Sequence, residues 1–138
     1  MILLDTDSLT LLNAGQSRMR QRAAQETDQI AIAVITRIEV LLGRFDFVLK
    51  AADGSELQRA QSLLVQSDRE LSTLRIVPIN SAAAAEFDRL RHDKKLKKIG
   101  RRDLLIACIA LAHGAKVVTR NLKHFRQVPG LTVENWAD

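Results

Sequence analysis

The stretch Ile2-Leu3-Leu4-Asp5-Thr6-Asp7 decides how the rest of the chain is read. Three apolar residues stop abruptly on an acidic, hydroxyl-rich turn. That is the pattern of a short buried strand feeding a helix, here one that begins near Asp7 or Ser8. Working outward, the same motif of apolar run and helix recurs. Ile30-Ala31-Ile32-Ala33-Val34 reads as a second strand, and Arg75-Ile76-Val77-Pro78-Ile79 as a third whose proline marks its end or a sheet edge. Val117-Val118-Thr119 is a fourth strand, and Leu131-Thr132-Val133 a fifth after the Pro129-Gly130 turn.

The segments between are helical. Gln16 to Glu26 is polar and helix-prone, and Thr36-Arg37-Ile38-Glu39 has the form of a capping box opening a helix toward Lys50. Ser55 is placed to cap an amphipathic helix through Leu71, with Leu57, Ala60, Leu64, Ser67 and Leu71 on one face. Ser81 caps a helix from Ala82 to about Lys95, and Arg101 to His113 is a strongly apolar helix ended by Gly114. Strands separated by helices require crossover connections. The fold class expected is therefore α/β, a three-layer sandwich whose mainly parallel sheet of four to five strands is flanked by helices.

The 138 residues are the length of one domain, expected to span 1–138. With 46% hydrophobic and 27% charged residues the chain is not a disordered one. Its single cysteine, Cys108, excludes an internal disulfide and a cysteine-based zinc cluster. The opening apolar run has no basic segment before it, and no run reaches the roughly 18 apolar residues of a membrane span. No membrane association and a cytoplasmic location are expected. A net charge of +5 and a pI of 9.9 favour an anionic partner such as nucleic acid.

In a parallel sheet the functional crevice lies at the carboxyl ends of the strands. Asp5 follows the first strand, Glu39 lies early in the helix after the second, and Asn121 comes two residues after the fourth. Asp103 sits in the first turn of the apolar helix before the fourth strand, and joins the others if that helix starts at the same edge. Singly, each acid has a simple explanation as a helix cap or a dipole partner. Gathered in one crevice, three carboxylates repel unless a cation lies among them. Oxygen donors suit Mg2+ or Mn2+, whose bound water serves as a nucleophile for phosphodiester hydrolysis. Lysine and arginine around such a pocket would hold the phosphate backbone.

These residues resemble a known family. Leu4-Asp5-Thr6-Asp7, Ile38-Glu39-Val40-Leu41-Leu42-Gly43, Asp103-Leu104-Leu105-Ile106-Ala107 and Val118-Thr119-Arg120-Asn121 resemble, in order, the motifs of the PIN domain. The ending His124-Phe125 with Pro129 to Trp136 is similar to the tail of VapC-type toxins, the ribonuclease halves of toxin–antitoxin pairs. The resemblance runs from Ile2 to Trp136 and implies a PIN-like fold and an endoribonuclease dependent on Mg2+ or Mn2+. It also implies inhibition by a VapB-like antitoxin and a toxin homodimer. By motif position Asp5, Glu39 and Asp103 are the metal-ligating, catalytic acids, with Asn121 where members carry a fourth acid or an asparagine. Two positions depart from the family's usual pattern. Asp7 replaces an asparagine, and Arg101-Arg102 stand before Asp103 where small, proline or aromatic residues are common.

Lys94 to Arg102 holds six basic residues in nine positions. Its default reading is a solvated helix end, with Lys98, Arg101 and Arg102, together with Arg120, as candidate RNA contacts. Cys108 is read as inert core, His113 as structural, and Trp136 as packing the tail; His92 and His124 lack the partners of a nucleophilic triad. Phe45, Phe47 and the apolar face of the 55–71 helix suit either the core or an exposed groove for an oligomer or antitoxin, and the core is the expectation. Two other functions remain open. Asp5-Thr6-Asp7 also resembles the nucleophile and acid pair of haloacid-dehalogenase-type phosphotransferases, although Leu9 stands where that pattern has threonine or valine. A non-catalytic nucleic-acid-binding module, with the acids only as caps, is the other.

Overall fold

The computed structural model describes residues 1–138. Five strands form one sheet: β1 (Ile2–Leu4), β2 (Ile30–Ala33), β3 (Arg75–Val77), β4 (Lys116–Val118) and β5 (Val133–Glu134). Their order is β3-β2-β1-β4-β5 and every pairing is parallel. In register, Leu4 faces Ile32 of β2 on one side and Val118 of β4 on the other. The chain thus builds outward from β1 to β3, then crosses back to lay β4 against the free side of β1. Successive residues of β1 face opposite ways, as strand geometry requires. Leu3 joins one core with Ala31, Ala33, Val77 and Val117, whereas Ile2 and Leu4 join a second with Ile32 and Val118.

Each core is closed by helices. The first packs under α5 (Ser81–Leu90), α6 (Arg101–Ala112) and the short α7 (Leu122–Phe125). The second packs under α1 (Thr6–Asn13), α2 (Ser17–Gln25) and the sheet-facing residues of α3 (Val34–Lys50) and α4 (Gly54–Ser72). The result is the expected three-layer α/β sandwich, with the sheet parallel throughout. No helix is long and apolar enough to cross a membrane. Pro78 follows β3 directly at the sheet edge, where its missing N–H leaves no ladder bond unmade.

Several helix starts differ from the sequence expectation by a residue or two. The first helix begins at Thr6 rather than near Asp7 or Ser8, and Asp5 caps it, its Oδ1 accepting the Ser8 N–H at 2.9 Å. Asp53 rather than Ser55 caps α4, and Asn80 rather than Ser81 caps α5, accepting from Glu56 N–H and Ala83 N–H respectively. The expected capping box at Thr36 and Glu39 does not form. That helix begins two residues earlier at Val34, so Thr36 lies inside its first turn, fully buried, and Glu39 is free for other partners. The helix after Asn80 ends at Leu90 instead of Lys95; Asp93 then caps a separate 3-10 turn at Lys94–Leu96.

The assignment of Phe45 and Phe47 to the core is also corrected: they are 49% and 56% exposed. The α3 and α4 helices pack chiefly on each other as a hairpin, so α3 beyond its first turns has no sheet beneath it. Ile38, Leu42 and Leu49 of α3 and Leu57 and Val65 of α4 are exposed with them. Within the expected face of α4, Ala60, Ser67 and Leu71 are buried while Leu57 is not. At the other end of the chain Trp136 is buried as expected, its indole N–H donating to Glu134 Oε2 at 2.8 Å. Cys108 is buried in α6, and burial pushes its thiol up to about 11, which keeps it protonated and unreactive.

Candidate active site

Because the chain leaves β1 for β2 on one side and later returns as β4 on the other, the carboxyl ends of β1 and β4 form the switch point of the sheet. That is where open parallel sheets place a crevice. Asp5 is the first residue beyond β1, and its backbone N–H donates to the Val118 carbonyl at 3.0 Å, extending the β1–β4 ladder by one bond. The ladder and the cap together fix Asp5, which is 6% exposed. The α6 helix ends just before β4 begins, so its first turn, carrying Asp103, starts at this carboxyl edge.

Asp103 and Asn121 meet directly, the Asn121 amide Nδ2 donating to Asp103 Oδ2 at 3.2 Å. Asn121 stands at the N-cap position of α7, but its side chain makes no capping bond. Its own N–H is held by the buried Thr119 hydroxyl at 2.9 Å, which leaves the side-chain amide for Asp103. Glu39 is reached from two sides. The Thr6 hydroxyl donates to Oε1 at 2.8 Å, with the Thr36 hydroxyl 3.5 Å from that of Thr6. Arg102 donates from a terminal guanidinium nitrogen to Oε2 at 3.2 Å. The residue after Asp5 and the residue before Asp103 therefore both hold Glu39.

The electrostatics follow from this clustering. Burial holds the Asp103 carboxyl above the usual carboxylate range, and the negative charges of Asp5 and Glu39 push it the same way. The Asn121 hydrogen bond and the charge on His124 oppose that shift without cancelling it. Of the three acids only Asp5 serves as a cap; Asp103 lies in the uncapped first turn of α6, where the helix dipole favours it, and Glu39 lies beyond the first turn of α3. Asp7 is exposed on α1, a first-turn acid on the surface, and is not among the charges acting on Asp103.

A divalent cation suits this donor set in kind: the ligands are hard oxygen atoms, and their repulsion is what a cation relieves. No three His, Cys, Asp or Glu side chains are spaced to hold one ion between them as placed. Asp5 gives one oxygen to its helix, and Glu39 is committed to Thr6 and Arg102. Mg2+ does not demand such a cage, since it is held through one or two carboxylates and keeps several waters. The residues fit the ion on that basis.

The cations flagged in the sequence have separate placements. Arg102 is on Glu39, whereas Arg101 lies over the Phe87 ring, its guanidinium 5.0 Å from the centroid. Arg120 pairs with Asp138 at 3.4 Å, and Lys98 is exposed. Leu96 and Ile99 are buried and pin the basic segment down, while Lys94, Lys95, Lys97 and Lys98 stay in solvent. Thr6, Thr36 and Thr119 are the residues that sequence reasoning left without a site role. Thr6 and Thr119 stood inside the quoted motifs; only the fold shows what their hydroxyls hold.

Residues 2–131 match the family described as PIN domain. Ribonuclease VapC2 of Rickettsia felis is 33% identical to the chain over 113 residues, covering 80% of it and 77% of the relative. The tRNA(fMet)-specific endonuclease VapC of Salmonella typhimurium is 28% identical over 138 residues, covering 97% and 96%. Among solved structures, VapBC2 from Rickettsia felis bound to a DNA fragment from its promoter superposes with a TM-score of 0.77 at 30% identity, over 99% of both chains.

Proposed function

The chain belongs to the PIN-domain family, and from that premise we propose that it is an endoribonuclease toxin that hydrolyses RNA phosphodiester bonds with a divalent metal ion, Mg2+ or Mn2+. The observation that carries the reading is the cluster at the switch point. Glu39 and Asp103 cap nothing, and burial together with the charges of Asp5 and Glu39 raises the proton affinity of Asp103. This also disfavours the reading of the acids as caps alone. The phosphotransferase reading has no support beyond Asp5-Thr6-Asp7, of which Asp7 is on the surface.

Asp5, Glu39 and Asp103 would hold the metal, directly or through water, with Asn121 as a supporting residue. When bound, the ion activates water and offsets the charge that builds at phosphorus. The protein's own groups supply position. Asn121 fixes Asp103 and favours its ionised form, Thr6, backed by Thr36, orients Glu39, and the α1 N-terminus holds Asp5. Lys98, Arg101, Arg102 and Arg120 would take the RNA backbone, with affinity falling as salt rises. The exposed apolar surface of α3 and α4 is the area left for partners, a VapB-like antitoxin and a second copy of the chain. A cytoplasmic setting follows from an RNA substrate.

The test is incubation with a mixed RNA pool in Mg2+ or Mn2+, with and without EDTA, beside Asp103→Asn. Cleavage should disappear with EDTA and fall at least about a hundredfold in the variant, by analogy with removal of other catalytic groups. Undiminished cleavage by a folded Asp103→Asn protein would overturn the assignment.

A further inference from the structure

We propose that Arg102 is a resident counter-ion of this acidic edge, holding Glu39 while no divalent cation is bound and releasing it when one arrives, so that Arg102 sets the affinity of the site for metal. The inference rests on the reading of Asp5, Glu39 and Asp103 as the ligand group. Its starting point is a contact between neighbours of that group: an Arg102 nitrogen lies 3.2 Å from Glu39 Oε2, and Arg102 is attached one residue before Asp103. A fixed positive charge is thereby tethered where a metal would have to compete with it.

The two ends of the pair differ in a way that suits exchange. The Arg102 side chain is 68% exposed and Glu39 only 20%. An exposed guanidinium loses little on returning to water, so the contact is a weak, replaceable one. Glu39 stays in place when Arg102 leaves, because Thr6 holds its other oxygen. The adjacent Arg101 does not share this role, being stacked on Phe87. The two arginines carry equal charge on the same helical turn, yet only one touches the acids.

A divalent ion and a guanidinium held about 6 Å apart repel by enough, even at the dielectric of water, to change an affinity by roughly tenfold. Flexibility of the exposed arginine reduces this, so roughly three- to tenfold is the expected range. Added salt screens it.

Titration calorimetry with Mn2+ and with Mg2+ alone, on the full chain without RNA, tests the proposal. Wild type, Arg102→Gln, Arg101→Gln and Asp103→Asn are compared at low and high salt. Arg102→Gln should bind metal about three- to tenfold tighter than wild type, with the gap narrowing in salt, and Arg101→Gln should stay within about twofold of wild type. A metal-free melt of each variant checks that the fold is retained. Equal affinity of Arg102→Gln and wild type, or an equal gain in Arg101→Gln, overturns the counter-ion role while leaving the metal site standing if Asp103→Asn binds more weakly. Absence of binding in every protein overturns the ligand group and the counter-ion together.

Discussion

Asp103 works against the fold that holds it. Its folded-state proton affinity is raised above the usual 3.8, first by burial and then by Asp5 and Glu39. The folded chain therefore binds a proton at this site more tightly than the unfolded chain does. Protonation favours folding below 3.8, and that contribution is lost as pH rises through the raised folded value. At neutral pH the ionised group is a net cost. Asp103→Asn should thus melt higher than wild type at pH 7 in the absence of metal, with the difference closing as the pH is lowered toward 3; thermal scans across pH check it. Asn121 opposes the shift, so Asn121→Ala should move the acid limb of the cleavage profile to higher pH, read from initial rates. Asp5 carries two duties that substitution can separate. Asp5→Asn keeps a cap oxygen for Ser8 and should fold with near-native stability, whereas Asp5→Ala should cost about 1 kcal/mol in urea unfolding, and both should be inactive. The positions of these acids were legible in the sequence because each follows or begins an element at one sheet edge. Glu39 was not fully legible: a glutamate three residues after a threonine looks like a cap, and only the burial of Thr36 excludes that reading.

Helix starts shifted because the sequence offers two capping residues in tandem. At Asp53-Gly54-Ser55-Glu56 both Asp53 and Ser55 qualify by residue type. Glu56 decides between them. It stands three residues after Asp53, donates its N–H to that carboxylate and accepts the Ala52 N–H at Oε2, 2.8 Å away. Removing the true cap with Asp53→Ala should lower stability by about 1 kcal/mol, while Ser55→Ala should change it by less than about 0.5 kcal/mol; urea titrations of the pair discriminate. The short α7 was missed because four residues are too few to show a helical period. It nonetheless matters, since the turn that opens it presents Asn121 to Asp103. Elements of eight or more residues were all anticipated in kind; the bounds of α2 and α6 came within a residue, whereas those of α1, α3, α4 and α5 shifted.

The parallel sandwich was legible because each short strand is an apolar run flanked by helices, and few topologies satisfy that pattern. What escaped was which apolar helix faces the sheet covers. Phe45 and Phe47 have core residue types, but α3 outruns the sheet and pairs with α4 instead, a tertiary fact with no local signal. Phe47→Glu should therefore leave the stability of the isolated chain within about 0.5 kcal/mol while reducing self-association, measured by sedimentation. The sheet order has a consequence for synthesis. Strand β1 is made first, yet its second neighbour β4 comes after most of the chain, and the acidic edge takes Asp5 from the start and Asn121 from near residue 120. A nascent polypeptide made up to β4 has all three acids but neither β4 nor Asn121, and so no switch-point crevice. The crevice is therefore completed only when synthesis is nearly finished, and a break in the 91–100 connection would leave Asp5 and Glu39 on one piece and Asp103 and Asn121 on the other.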